Sequence, residues 1–454
     1  MSAATTSAPP AAAGTSRRRR LPAVDRRLAL WLALLLAGLA VGLAAWGYQL
    51  AHGLAATNMR NPMMWGLYIT LFMYFVGLSA GGLIVASAGR LFGATRLKPI
   101  VRVAVLEATV AVMIAALLLL PDIGRPDRFY NLVLHAHATS PLIWDFTIVT
   151  VYFLLSAAYV WVYTRADLAR RGSLLALGTG TSEKELRRDD LAKGVLAAVG
   201  LPAAILLHSI TSWIFGLQIS RGFWYSAVMA PLFIASALVS GTGLMILLAL
   251  VMRRFGRVAF KDRLVAYLGG MLAVFVAVEA FLVFSEMLTG GYPGAAYEAD
   301  PVRRLLYGPY APFFWFEVVV GLAIPFVLLA VPRLRRSVPL VAVASALAVA
   351  GILIHRVNIV LNGLSYVTVP YPPGVSIGTA QPQGATSFLM HYFYRPSLIE
   401  YLVALGVLCF GGLVFTLAAW ILPLKEKDPA YDGGDGAGLA ERGDAPADAG
   451  PECA

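Results

Sequence analysis

Ten times along the chain, a run of about twenty or more mostly apolar residues follows the last after a polar break. A run of that length crosses a ~30 Å hydrocarbon core as a helix. In lipid, every backbone N–H and C=O must be satisfied within the segment, so such runs fold as spanning helices. They lie near residues 28 to 50, 64 to 89, 100 to 121, 142 to 164, 191 to 216, 226 to 252, 264 to 289, 312 to 331, 337 to 361 and 398 to 422. Composition points the same way: 59% of residues are hydrophobic and 13% charged, about half the charge a soluble domain needs. The expected fold class is an all-α polytopic membrane protein.

A net charge of +11 invites a nucleic-acid reading, but the basic residues sit in short loops beside apolar runs, where they orient a membrane protein. With the N-terminus inside, the inner segments hold 28 Lys or Arg and the outer loops 7, Arg356 alone lying within the ninth run. This alternation predicts a cytoplasmic (inner) membrane protein with both termini in the cytoplasm, and no nucleic-acid partner. Residues 1–27 and 423–454 have too few large apolar side chains to fold and read as disordered tails around a transmembrane domain over 28–422. Arg26 and Arg27 precede an apolar run too long for a signal-peptide core. Cys409 and Cys453 are the two cysteines, and an iron–sulfur cluster usually needs four thiolates, so any such cluster belongs to a partner.

The chain shows a weak internal echo. Pro141, Trp144 and Asp145 open the fourth run as Pro312, Trp315 and Glu317 open the eighth; Glu107 and Glu279 are 172 residues apart. Ser79 to Gly82 in the second run match Ser240 to Gly243 in the sixth, and His208 and His355 close the series. A shift of four helices preserves direction through the membrane, which makes this a parallel repeat. The expectation is two four-helix bundles, helices 2–5 and 6–9, with one flanking helix at each end of the chain.

Ionisable groups inside a bilayer are costly, so each is either paired or functional. In the charge-derived orientation Asp145, His208, Trp213, Glu286, Glu317, His355 and Asn358 fall in the outer half of the membrane, and Glu107 in the inner half. Glu107, Glu279, Glu286 and His355 are candidates for a proton path; pairing with Arg102, Arg356 or backbone is the structural alternative. Trp65, Tyr68 and Trp213 fit an aromatic interface belt. Tyr68, one turn after Trp65, would also place a hydroxyl on the same aromatic face. With His208 and Asp145 to move protons, that set meets the needs of a quinone ring: apolar packing, hydrogen bonds to two oxygens and a proton carrier. Asp122, Arg125 and Arg128, in a turn-rich stretch after the third run, are candidates for partner docking; self-contained salt bridges are the alternative. Gly77, Ser79, Gly81 and Gly82 read as a packing face.

These stretches resemble the NrfD/polysulfide-reductase-type membrane subunits of respiratory complexes. The resemblance is carried by Trp65 to Tyr68 with Gly77 to Gly82, Pro121 to Phe129, Ser140 to Asp145, His208 to Trp213, Met229 to Phe233, His355 to Asn358 and Pro396 to Glu400. Ten spans are similar to the longer branch of that family, which includes membrane subunits of hydrogenases and of alternative complex III. The resemblance implies a membrane anchor that binds menaquinone or ubiquinone near the outer face. It also implies docking of a ferredoxin-like iron–sulfur subunit there, which relays electrons to a molybdopterin enzyme, a multihaem cytochrome or a hydrogenase. Two other classes compete. A haem b protein would use His208 and His355 as axial ligands, although buried histidines more often hydrogen-bond or shuttle protons. A proton-coupled secondary transporter would explain the repeat and the buried carboxylates.

Overall fold

The computed structural model describes residues 25–60, 63–294, 296–365 and 394–425. Apart from residues 25–27 and 423–425, the expected tails lie outside the described residues. Ten helices among the described residues are long and apolar enough to cross a membrane: α1 (Arg26–Ala56), α2 (Leu67–Leu91), α3 (Thr95–Asp122), α4 (Pro141–Arg170), α5 (Glu183–Gly216), α6 (Met229–Arg254), α7 (Asp262–Gly291), α8 (Ala311–Ala330), α9 (Val338–Ser365) and α10 (Leu398–Ile421). Each matches one apolar run of the sequence. The ends differ where capping overrides hydropathy. α5 begins at Glu183 and not near 191, because Ser182 and Glu185 form a capping box that satisfies its first N–H groups.

Successive helices run up and down between two faces. The near face carries the start of α1 and the end of α10, and Arg102 of α3 ties it together by donating to Asp167 of α4 and to the Pro423 carbonyl. At the far face Asn58, just past α1, donates through its backbone to Glu400 of α10, and Leu67 N–H of α2 donates to the Tyr394 hydroxyl.

α2, α3, α4 and α5 pack each on the next and α5 returns to α2; α6, α7, α8 and α9 do the same. α2 joins the two sets by packing on α6, with α5 on α6 and α9 on α2 alongside. The first and last helices pack on each other, and α10 also lies against α3.

Glycine pairs mark three of these crossings. A methyl at Gly81 of α2 would strike the Ala237 carbonyl and the Gly241 backbone of α6. Gly321 of α8 and Gly351 of α9 meet in the same way, as do Gly42 of α1 and Gly406 of α10. Lipid tails are as apolar as leucine, so helices in a bilayer associate through close packing, and small residues let backbones touch.

On the near face, Arg165 of α4 grips Asp189 of α5 with three N–H···O contacts of 2.5 to 3.0 Å and donates to the Gly180 carbonyl at 3.0 Å. The pair is shielded from solvent, where removing one partner strands a buried charge.

Gly81→Leu is expected to push α2 from α6 and lower the thermal midpoint in detergent, since overpacking a tight contact costs about 1–3 kcal/mol or more. Gly47→Ala, which meets nothing within 4 Å, should not move it; size-exclusion chromatography after heating reads both. Asp189→Ala should cost about 3–5 kcal/mol, and the double variant Arg165→Met/Asp189→Leu distinctly less than the sum of its singles, which thermal denaturation would show.

Candidate functional site

The densest buried polar group of the transmembrane region lies in α6 to α9. His355 Nδ1 of α9 and Glu317 Oε1 of α8 are 2.8 Å apart, and Asn358 donates to Glu317 Oε2 at 2.7 Å. On the other side of the imidazole, Nε2 lies 3.8 Å from Glu279 Oε1 of α7. Residues 316–323 of α8 and 358–362 of α9 wind as π-helix. These wider turns shift register and recur at functional sites; here Glu317 and Asn358 sit on them, facing each other. A small cleft reaches this cluster, lined on the polar side by Glu286, Glu317, His355 and Asn358 and on the apolar side by Phe223, Met229, Leu232 and Phe314 among others. Glu286 also accepts from Ser226 at 2.8 Å. The structure therefore brings Glu279, Glu286 and His355 together and adds Glu317 and Asn358.

Arg356, next in sequence to His355, turns to the seam between the two helix sets. It is fully buried, donates to Ser236 of α6 and stacks its guanidinium 4.0 Å above the Phe233 ring. Its charge interacts with Glu279 and Glu317. Across the seam, Gly77 of α2 leaves room for three polar tips: a methyl there would lie 3.5 Å from Ser240 Oγ, 3.8 Å from His208 Nε2 and 3.9 Å from Arg356 Nη2.

His208 of α5 thus reaches that seam. It is buried, and neither ring nitrogen makes a well-aligned hydrogen bond, with the Ala204 backbone one turn back close by. One turn further along α5, Thr211 donates at 2.5 Å to Asp145 of α4, so Asp145 and His208 belong to one patch. Buried polar groups are nearly always partnered, and an imidazole short of good partners marks a place where a ligand or water completes the hydrogen bonding. Glu107 of α3 is buried with both oxygens unpartnered, deeper along the bundle near Gly82 and away from this patch.

The expected shared face of Trp65 and Tyr68 is not formed. α2 starts at Leu67 because Gly66 adopts a non-helical conformation and the Leu67 N–H is taken by Tyr394, so Trp65 precedes the helix and the turn count fails. Trp65 packs instead with Phe215 and Trp224, ring centroids 5.4 and 5.9 Å away. Tyr68 turns to α1, donating at 2.6 Å to Gln49, whose amide donates to the Pro121 carbonyl at 2.8 Å. Trp213 is more than a third exposed, and the rings beside Trp65 are those of Phe215 and Trp224.

Among the docking candidates, Arg125 forms an exposed two-pronged pair with Asp127 at 2.9 and 3.0 Å, the self-contained arrangement weighed as the alternative. Arg128 is exposed. Asp122 differs, with one carboxylate oxygen enclosed and unpartnered. Nearby Glu400 accepts from Tyr394 and from the backbone of Asn58 and Ser397. Burial, and then the Glu400 carboxylate, push the Tyr394 phenol above its usual range, which keeps it a donor. Gln49, Thr211, Ser226 and Tyr394 escaped the sequence reading; for Gln49 the signal was present, as an amide near the end of an otherwise apolar run.

Comparison with known proteins places this geometry. The family model described as polysulphide reductase, NrfD matches residues 55–369, a stretch that takes in α2 to α9. A relative from Halobacterium salinarum, assigned as a membrane subunit of dimethyl sulfoxide reductase, is 40% identical over 412 residues, 89% of this chain and 94% of its own. A selenate reductase subunit of Mesobacillus selenatarsenatis is 26% identical across 85% of this chain and 92% of its own. The Hdr-like menaquinol oxidoreductase integral membrane subunit of Archaeoglobus fulgidus is 25% identical across 84% and 90%. The chain belongs to the NrfD family of integral membrane subunits.

Proposed function

We propose that this chain anchors a respiratory oxidoreductase in the cytoplasmic membrane and exchanges electrons between the quinone pool and an iron–sulfur partner on its far face. The observation that carries the reading is His208, buried, without a well-aligned hydrogen bond and one turn from the Asp145–Thr211 hydrogen bond, in a family with relatives named as integral membrane subunits of a menaquinol oxidoreductase and a menaquinone reductase. A quinone ring needs a donor to a carbonyl oxygen and a group that takes or gives protons. His208 supplies the first and Asp145 the second, with Trp65, Tyr68 and Trp213 as aromatic surroundings. Lys and Arg crowd the loops of the near face, which makes it cytoplasmic and puts the far face outside.

In this reading menaquinone or ubiquinone is the cofactor, and the iron–sulfur cluster sits in a ferredoxin-like partner. That partner meets Arg125, Arg128 and the neighbouring far-face loops, and passes electrons to or from a molybdopterin, multihaem or hydrogenase subunit. Glu279, Glu286 and His355, grouped with Glu317 around the second cleft, together with Glu107, form the proton-handling part. Carboxylates facing a bundle interior recur in proton relays.

Purifying the tagged chain from its native membranes in mild detergent should recover an iron–sulfur subunit by mass spectrometry and a quinone in the lipid extract. A lone subunit free of both, across several gentle detergents, would overturn the reading. In the recovered complex, Asp145→Asn should lower quinol-linked turnover by about 10²-fold, the usual scale for losing a proton-transfer group, without loss of the partner. Glu279→Gln should reduce protons moved per electron in proteoliposomes; an unchanged ratio removes Glu279 from the path.

A further inference from the structure

Glycines along the α2–α6 crossing are of two kinds. At Gly81 and Gly241 a methyl group would enter the facing backbone, so packing requires their lack of a side chain. Gly77, one turn nearer the far face, is different: a methyl there meets nothing closer than 3.5 Å, so packing does not demand a glycine. The three nearest atoms from the rest of the protein are all polar, Ser240 Oγ, His208 Nε2 and Arg356 Nη2, at 3.5, 3.8 and 3.9 Å from that methyl position. We infer that one water seated over Gly77 bridges these three groups and fixes His208 as the tautomer that carries its proton on Nδ1. Gly77, Ser240 and Arg356 are thereby positioning residues of the quinone site. The functional half of the inference rests on the quinone reading, since it names what orients the histidine of that site.

A buried water needs room and two to four polar partners. A space that takes a methyl group without a clash is of the order of one water, and three partners converge on it. Two of them are charged or titratable side chains cut off from solvent: His208 is 1% exposed and Arg356 fully buried. Valence then fixes the direction of each bond. A guanidinium only donates, so Arg356 engages a lone pair of the water with the second hydrogen of Nη2, the first being directed to Ser236 Oγ. The Ser240 hydroxyl hydrogen is committed to the Ser236 carbonyl at 2.9 Å, which leaves its oxygen as an acceptor. The water gives one hydrogen to Ser240 and the other to His208 Nε2. A ring nitrogen that accepts carries no proton, so in the neutral imidazole the proton lies on Nδ1. The Ala204 backbone, one turn back and close to the ring, supplies a carbonyl for that proton until a quinone oxygen takes its place.

The consequence for the site is a defined donor. His208 offers a quinone oxygen a hydrogen bond only from a protonated nitrogen, and the bridge ensures that the nitrogen not turned to the seam is the protonated one. The other ring nitrogen of a functional histidine commonly sets its tautomer in this way. His355, its counterpart in the second helix set, needs no water for the purpose, because Glu317 lies 2.8 Å from its Nδ1. The bridge also joins the two sets, tying α2 and α5 to α6 and α9 at one point.

The test has a structural and a kinetic arm, both on the complex purified through a tag on this chain. An electron cryo-microscopy map at a resolution that shows ordered water should contain a peak within hydrogen-bond distance of His208 Nε2, Arg356 Nη2 and Ser240 Oγ. A map with no peak there overturns the inference. Gly77→Ala, whose methyl takes the space at ordinary contact distances, should assemble and expel the peak. With 2,3-dimethyl-1,4-naphthoquinol as donor and ferricyanide as the electron sink, its kcat should fall about tenfold, the scale of one lost hydrogen bond. Gly77→Ser is bulkier but returns a hydroxyl to the same place, and should recover most of the rate. Wild-type kcat in Gly77→Ala would sink the positioning role, as would a Gly77→Ser complex no faster than Gly77→Ala, the mark of crowding alone. If neither variant assembles, the wild-type map decides. A wild-type complex with no quinol-linked activity removes the quinone reading and the positioning role with it, while the map still decides the water.

Discussion

The apposition of α2 and α6 at Gly81 and Gly241 sets the geometry on which the buried chemistry depends. Only without a side chain on either glycine can the two helix sets approach until Gly77, Ser240, His208 and Arg356 share one small space. Lipid offers no hydrophobic reward for bringing two apolar helices together, so contact distance itself supplies the attraction. The same contact creates the setting for Arg356. A guanidinium with no exposure must find its stabilisation within the protein, and here Ser236, the Phe233 ring and the fields of Glu279 and Glu317 supply part of it, with Nε and Nη1 left without a partner. Widening the seam by one methyl group would unsettle all of these together.

The two sides of the seam carry versions of one constellation. Glu317 accepts from Asn358, which lies three residues after His355; Asp145 accepts from Thr211, which lies three residues after His208. They differ in the length of the carboxylate side chain, in its donor and in the π-helical turns on one side. The longer Glu317 side chain, lifted by the π-helical turn, reaches the histidine as well and holds Nδ1 at 2.8 Å. The shorter Asp145 is engaged by the threonine, and His208 keeps both nitrogens without a well-aligned hydrogen bond. A clamped imidazole between carboxylates suits storing or relaying a proton; an unclamped one suits meeting a ligand. The division of labour proposed for the two helix sets follows from these differences.

Much of this was legible in the sequence, for a physical reason. Lipid forces every spanning segment to be helical and apolar, so the ten helices and their up-and-down order could be read from runs alone. The placement of Asp145, His208, Glu317 and His355 towards the far-face ends of their helices was legible too, since it follows from position along each run. Side-chain direction was not. The Trp65–Tyr68 face failed on the conformation of Gly66, which is set by Tyr394, more than 300 residues away. Arg102 was weighed as a partner for buried glutamates, yet it serves Asp167 and the Pro423 carbonyl at the near face. Its position at the start of α3 was visible, whereas the neighbours that helix meets were decided by packing.

Asp122 shows how little a motif says about where its side chains turn. Charges after a span suggest an outward docking surface, whereas Arg125 and Asp127 satisfy each other as an exposed pair. Yet the residue that closes α3 is still on the helix, and its direction is fixed by the helical turn and by the carbonyl of Pro121 beside it, which Gln49 occupies. One oxygen is carried inward as a consequence. In water an unpartnered carboxylate oxygen would cost little, because solvent would serve it. At the edge of a bilayer it costs more. The fold bears that cost two residues before Gly124, whose left-handed turn seats the following loop against Leu54.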